Sequence, residues 1–516
     1  MALPPLSIDA ARRVLARAGY GARPGEAEAL TRQGLAPWVE QQLARRGDDP
    51  TTVARLAALR IPARIPGADG KLAQEMVPLG RLVDSPEERA ARAGTPVNGV
   101  VPPEPERIKL ELRAATLLRK VSSEAQLYER MVEFWHDHFA VNIDAHPRIA
   151  TSAAEYDRRI RAQALGNFRP LLEAIAAAPA MLFFLSNAGS RAGAPNENYA
   201  RELLELHTLG QPAYFGGARS NSGLPRGPDG YPLGYVDADV WEVARAFTGW
   251  TVAIGQGSEQ GRLPRTGDFM FHEVWHDHYQ KRVLGRDLEP FAPGMAHGRA
   301  VLDIVATHPA TARFVCGKLV RFLVGEQAPA VVAERAAAVF LAQAGQPDQL
   351  AQVVRAVLAG PEIADPALGR PRRPLDLVAA AARALAIPLT PNPWLLTGLA
   401  NAGQVLFGWP SPDGQPLDAT QYDGTGALRA RWALLLDLAR NAQGTGAPAL
   451  LAELAGQPVA IVVTRLAGAV LGADAAPVAR TVLGVWSRAG RNPTPNAAEV
   501  GELAGWLLAA PAFQQC

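Results

Sequence analysis

Two near-identical strings carry much of what could do chemistry in this chain: E-F-W-H-D-H-F (Glu133 to Phe139) and E-V-W-H-D-H-Y (Glu273 to Tyr279). Each contains Glu-x-x-His, a spacing that on a helix sets a carboxylate and an imidazole on one face. Di-metal carboxylate bundles use that spacing, with a lone Glu from each of two further helices. Such a Glu is available in P-N-E-N-Y-A-R-E-L-L-E-L-H-T-L-G (Pro195 to Gly210). At 100° per residue Glu197, Asn198, Arg201, Glu202 and Glu205 share one helical face, and Tyr199, Leu203, Leu206 and His207 lie on or near the other. The chemistry this points to is a mononuclear or dinuclear centre. Its ligands would be His136 or His138, Glu205 or Glu202, and His276 or Asp277. Such a donor set suits Mn, Fe or Zn. Glu202, Arg201, Asn198, Lys281 and Arg245 would then serve as the reacting or charge-neutralising groups.

Each assignment has a plainer rival. The acidic helix face is equally a solvated one, with Glu–Arg pairs worth ~0.2–0.5 kcal/mol each. The histidines fit a polar network inside the core. Lys281 fits an ordinary ion pair, and His207 a satisfied core histidine. Geometry also restricts the metal reading. On a helix His136 and His138 point about 200° apart, so both reach one ion only where the helix ends. The second string reads as strand or turn, where i and i+3 diverge.

The elements that must position these groups are helical. Asn196 suits an N-cap and Gly210 an αL C-cap for the 197–205 helix. Residues 107–120 form another helix, and Ser123 opens the next with Gln126 in the capping-box position. Asp237 to Trp250 is a short helix carrying Glu242 and Arg245. Residues 251–285 alternate or cluster β-formers around turns. The expected fold is therefore mainly α: a multi-helix array with a small antiparallel β insertion around 251–285. Four segments are read: 1–60 helical, 61–106 a Pro/Gly-rich loop or arm, 107–290 a central helical region with the site, and 291–516 a C-terminal helical region. The loop-rich stretch 391–422, with two tryptophans, is either a wall over a pocket or simple packing between helices.

At 516 residues the chain can hold two or three domains or one large core with insertions. Its net charge of +2, from 52 basic and 50 acidic residues, directs no field at nucleic acid or a membrane. Two cysteines exclude a disulfide framework and an all-Cys zinc site. No run of ~18 apolar residues is uninterrupted, so no membrane span is expected. The opening M-A-L-P-P-L-S-I-D-A-A-R-R-V-L lacks a basic region followed by an apolar one. That suggests the cytoplasm, or the periplasm and beyond if a signal was removed or a partner carries one. There is no G-x-S-x-G, Walker loop or G-x-G-x-x-G after a strand, so serine-hydrolase, nucleotidase and dinucleotide readings lack support.

Taken in order, A-R-R-V-L-A-R-A-G-Y-G-A, W-H-D-H-F-A-V, P-N-E-N-Y-A-R-E-L-L-E-L-H-T-L-G, D-V-W-E-V-A-R-A-F-T-G-W, H-D-H-Y-Q-K-R-V-L-G and the late F-G-W-P-S-P-D-G resemble the bacterial family catalogued as domain of unknown function 1800. The resemblance covers nearly the whole chain. In that family the second string usually reads H-D-x-G-x-K; here Tyr279 replaces the Gly. This favours His276, Asp277 and Lys281 over His278. The resemblance implies a bacterial protein, often exported and encoded beside a sulfatase-like family, domain of unknown function 1501, and it brings no established activity. Three functions are thus expected to compete: a metal-dependent hydrolase or oxidoreductase acting on a small molecule or polymer, a non-catalytic partner or maturation factor of the sulfatase-like protein, and a metal-free acid–base enzyme using Glu202, His136 and Lys281.

Overall fold

The computed structural model describes residues 6–66, 72–93, 103–217, 220–255, 257–258, 261–418, 421–422, 424–442 and 448–516. Among them the chain is mainly α-helical, with four two-stranded antiparallel pairs and no larger sheet. Three pairs fall where the β insertion is expected: Trp250–Val252 with Phe269–Phe271, Gly257–Ser258 with Gly261–Arg262, and Lys281–Val283 with Arg286–Leu288. The fourth pairs Arg60–Pro66 with Leu72–Pro78, inside the stretch read from sequence as an irregular arm. Alternation explains it: Ile61 and Ala63 point one way and are buried with Ala114 and Leu118. Its prolines are tolerated because both strands of a lone pair are edge strands. A helix, Pro86–Arg92, follows, opened by a capping box from Ser85 and Glu88. Residues 67–71 and 94–102 of that arm lie outside the described residues.

Apolar packing separates into two main cores. The first joins the N-terminal helices to helices as late as Gln349–Leu358. The second runs from Leu375 to Phe513 and takes in Tyr20, Leu117 and Val121. The packing therefore divides near residue 370 and not near 290, because the helix Ala296–Ala306 packs on Phe168–Ala176 and Asp237–Ala246. The most apolar run, Val459–Arg488, has mean hydropathy 1.7 and meets the length and composition of a membrane-crossing helix. Gly472, at φ +60°, and a 3-10 turn fold it into two contacting helices of 13 and 14 residues. Each is shorter than the ~20 residues a crossing needs.

The helix Gln126–His138 lies where the site is built. Leu127, Met131, Phe134 and Trp135 enter the first core, each at most 3% exposed. Its other side faces the helix Pro103–Ser122, the helix Pro147–Gln163 and the start of Pro374–Ala384, and that side carries the charges.

A candidate acid–base site

The 126–138 helix starts differently from expectation. Ser123 accepts from the Ala125 amide, while the Gln126 side chain donates back to the Lys120 and Ser123 carbonyls, at 3.1 and 2.8 Å, so no capping box forms. The helix stops after His138, as its sequence suggests. Along its charged side Glu133 meets Lys120 at 2.6 Å and also bonds the Tyr20 hydroxyl and the Arg373 guanidinium. Arg373 reaches on to Asp137 at 2.6 Å. Arg130 and Arg370 clamp Asp376 from two sides, at 2.7 and 2.9 Å. An unpaired charge here would be costly, so these groups are tolerated only as a lattice. Burial opposes ionisation of Glu133, yet Lys120 and Arg373 hold its carboxyl at about 2. At Asp137 burial prevails over Arg373 and the carboxyl rises; burial likewise pushes the Lys120 ammonium down.

His136 belongs to a second set of paired charges on the same helix side. Its Nε2 lies 2.9 Å from Asp157 Oδ1, Asp157 Oδ2 takes Arg161 Nε at 2.8 Å, and Arg161 bonds Glu129 at 2.8 Å. Burial would raise the Asp157 carboxyl, but Arg161 and His136 hold it far below the usual carboxylate range. A carboxylate only accepts, so the His136 proton sits on Nε2. Its Nδ1 has no protein partner among the described residues.

His136, Glu133, Asp137, Lys120, Asp157 and Arg161 line a cavity of about 50 Å³, room for a few waters. Its other wall is the segment 404–415. The Phe407 ring lies 4.7 Å from the His136 ring, and Trp409 Nε1 donates to Asp413 at 2.9 Å. Gly414, at φ +87°, lies where a Cβ would collide with the Asp137 carbonyl, so a side chain there would push the wall outward. Of the stretch 391–422, residues 404–415 line the cavity, while Leu395, Leu399 and Ala402 pack into the second core, so both readings are met.

The structure does not gather the expected metal ligands. His138 points into the first core among Phe134, Trp135 and Phe139 and donates Nε2–H to the His207 carbonyl at 3.0 Å. Burial, with help from Lys318, keeps it neutral. His207 is buried too and pushed down to about 3 by burial, but its Nε2 has no partner. His276 and Asp277 lie in another cluster: His276 Nε2 is 2.8 Å from His297 Nδ1, and Asp277 is gripped twice by Arg245, at 2.8 and 3.0 Å. Lys281 joins them, 3.2 Å from His297 Nδ1 and bonded to the Asp277 and Tyr279 carbonyls; burial lowers it to about 8.

The 197–205 helix forms as expected, capped by Asn196 on the Tyr199 amide at 3.1 Å. Arg201 pairs with Asp237 at 3.2 Å, and Asn198 is exposed. Glu202 and Glu205 are half-buried and make no side-chain hydrogen bond or ion pair among the described residues. Burial, Glu205 and Asp413 raise the Glu202 carboxyl. Among the described residues no three of His, Cys, Asp and Glu converge as a metal could use them. The donor set of His136, His138, Glu205, His276 and Asp277 therefore does not fit one ion in this fold.

Sequence reading missed Asp157, Arg161, Arg373 and His297. Asp157 and Arg161 stand four apart on one helix, an everyday pairing, and Arg373 arrives from 236 positions beyond Asp137. Only Lys120, one of few lysines, and Glu133, in the first string, carried a visible signal.

Residues 13–515 match the family model described as "Protein of unknown function (DUF1800)", and the chain belongs to that family. No curated protein and no solved structure matches it.

Proposed function

We propose that the chain is a metal-free acid–base enzyme whose reaction takes place at the cavity under the 404–415 wall. The observation that supports this is the line Arg161–Asp157–His136, which fixes one imidazole nitrogen and leaves the other open towards a sheltered polar space. A base held in one tautomer by an ionised carboxylate is the arrangement proton abstraction needs. His136 takes the proton through Nδ1, and Asp157 favours the imidazolium that results. Glu133, Asp137 and Lys120 present fixed charges to the bound molecule. Four carboxylates and two cations line the space, so the substrate is a small polar or cationic molecule that presents hydrogen-bond donors. Anything larger than a few heavy atoms displaces Phe407 and Trp409.

The test is a screen of wild type against chromogenic esters, amides and glycosides of amino and hydroxy compounds. His136→Gln and Asp157→Asn run in parallel, with melting curves as the control on folding. The expected result is one turnover that falls at least ~10²-fold in both variants and needs no added metal. A turnover that survives His136→Gln, or one that disappears with chelator, sinks the reading. Loss of co-purification with a sulfatase-like protein, with no turnover to lose, would favour the partner role instead.

A further inference from the structure

The N-terminal motif A-R-R-V-L-A-R takes no part in the site above. It lies on the helix Ile8–Arg17, whose Arg12, Arg13 and Arg17 line a separate pocket of about 230 Å³. Arg372 closes the pocket from the other side, and the turn at 470–474 and the segment 512–516 form its ends. Each of the four guanidinium groups is held by backbone carbonyls. Arg12 donates to Gly468 at 2.8 Å, Arg13 to Ala364 at 2.8 Å, Arg17 to Ile363 and Asp365 at 3.0 and 2.9 Å, and Arg372 to Phe513 at 2.8 Å. None of the four forms an ion pair among the described residues, whereas Arg370 and Arg373 nearby each have a carboxylate. Of the lining acids, Asp9 turns an oxygen to the Ala473 amide at 2.9 Å and Asp474 is exposed. The Nε atoms of Arg12 and Arg17 are buried with no partner, and Arg17 is only 1% exposed.

Four guanidinium groups share the hollow with two lining carboxylates, Asp9 and Asp474, neither of which pairs with them among the described residues, so positive charge is in excess there and favours a further anion. Carbonyls fix the orientation of a guanidinium but do not neutralise it. Its planar fork matches an oxyanion better than any other partner. We propose that this pocket binds a small oxyanion of the phosphate or sulfate kind through Arg12, Arg13, Arg17 and Arg372. Burial pushes the Arg17 guanidinium down, against the pull of Cys516 and Asp365, and a bound anion relieves that strain.

Inorganic phosphate titrated into the full chain, with chloride keeping the ionic strength constant, tests this. The expected result is saturable binding of one phosphate per chain by calorimetry, broadening of the phosphorus resonance, and displacement by sulfate. Arg12→Gln/Arg13→Gln is expected to weaken binding at least ~10-fold. Arg282→Gln, on an exposed arginine elsewhere, should leave it unchanged. Heat of mixing without saturation, or equal binding by the double variant, overturns the proposal. Should the double variant fail to fold, the wild-type stoichiometry and sulfate displacement decide alone, and their absence overturns it equally.

Discussion

The strings E-F-W-H-D-H-F and E-V-W-H-D-H-Y differ at two positions, yet they build unlike places. The first is helical through His138. The second is a 3-10 turn over Glu273–Trp275 that leaves His276 extended, at ψ 140°. One thing survives the change: in both, the Asp takes an arginine from elsewhere, Asp137 from Arg373 and Asp277 from Arg245. Everything else diverges. Glu133 is sealed among three cations, while Glu273 stays exposed. His136 receives a carboxylate and faces a cavity; His276 receives another imidazole. His276 Nδ1 donates to the Thr248 carbonyl at 2.8 Å and His297 Nε2 to the Glu289 carbonyl at 2.7 Å. Both rings donate outward, and His297 Nδ1, 2.8 Å from His276 Nε2, also accepts from the Lys281 ammonium at 3.2 Å. The second string works as a latch between strand and helix, the first as the wall of a site. Backbone conformation at the Glu sets which of the two forms.

The largest break of this comparison comes from the glutamates. Glu133→Ala leaves Lys120 without a carboxylate in the interior and takes one of two partners from Arg130 and Arg373, and is expected to cost ~3–5 kcal/mol. Glu273→Ala, on the surface, should stay within ~0.5 kcal/mol. Denaturant midpoints of the pair measure both. Similar values for the two would mean that the strings are energetically alike after all.

Acid should find the first string next. Glu133 sits at about 2 in the folded chain against an ordinary 4.5. A carboxyl lowered by folding stabilises above its unfolded value and loses that contribution as pH falls through the folded one. The loss therefore spans pH 4.5 to 2 and amounts to roughly 3 kcal/mol. Asp137, raised by burial, gains on protonation and makes the decline shallower. Unfolding free energy followed from pH 5 to pH 2 should fall, and Glu133→Gln should flatten that limb. An unchanged limb in the variant would assign acid lability elsewhere.

How much of this was legible in the sequence depends on the range of the interactions. Helix and insertion could be read because periodicity, caps and turn residues act over a few positions. Asn196 caps its helix as expected, but the helix ends at Glu205 with Leu206 as its C-cap, and Gly210, at φ +88° and ψ 154°, opens the following 3-10 turn instead. The hairpin at 60–78 was hidden by its prolines, which argue against a central strand but not an edge one. The site was half-legible: His136 and Glu133 stand in a recognisable string. Their partners Asp157, Arg161 and Arg373 lie on ordinary-looking helices, and only tertiary packing selects them. The expected metal ligands do not converge for a related reason: His138 meets the 195–210 segment through the His207 carbonyl and not through a carboxylate, and His276 and Asp277 are taken up by His297 and Arg245.

A smaller effect is expected from the latch. His297→Leu removes the imidazole that both His276 Nε2 and Lys281 approach and leaves each short of a partner, at a cost of ~1–3 kcal/mol. Amide exchange at 276–290 should speed up locally, while the 126–138 helix stays protected. Matched acceleration in both regions would show that the two clusters unfold together.

Only a small change in stability is expected at the residue with the largest proposed role. In His136→Gln the new amide can still donate to Asp157, and Arg161 still neutralises that carboxylate. The lattice around Glu133 is untouched, because His136 bonds none of its members. The expected cost is therefore under ~1 kcal/mol, against several for Glu133→Ala. That gap separates a group held ready for proton transfer from one that holds the fold together. If His136→Gln melts as low as Glu133→Ala, the imidazole is a structural member of the lattice, and the first string has no more claim to chemistry than the second.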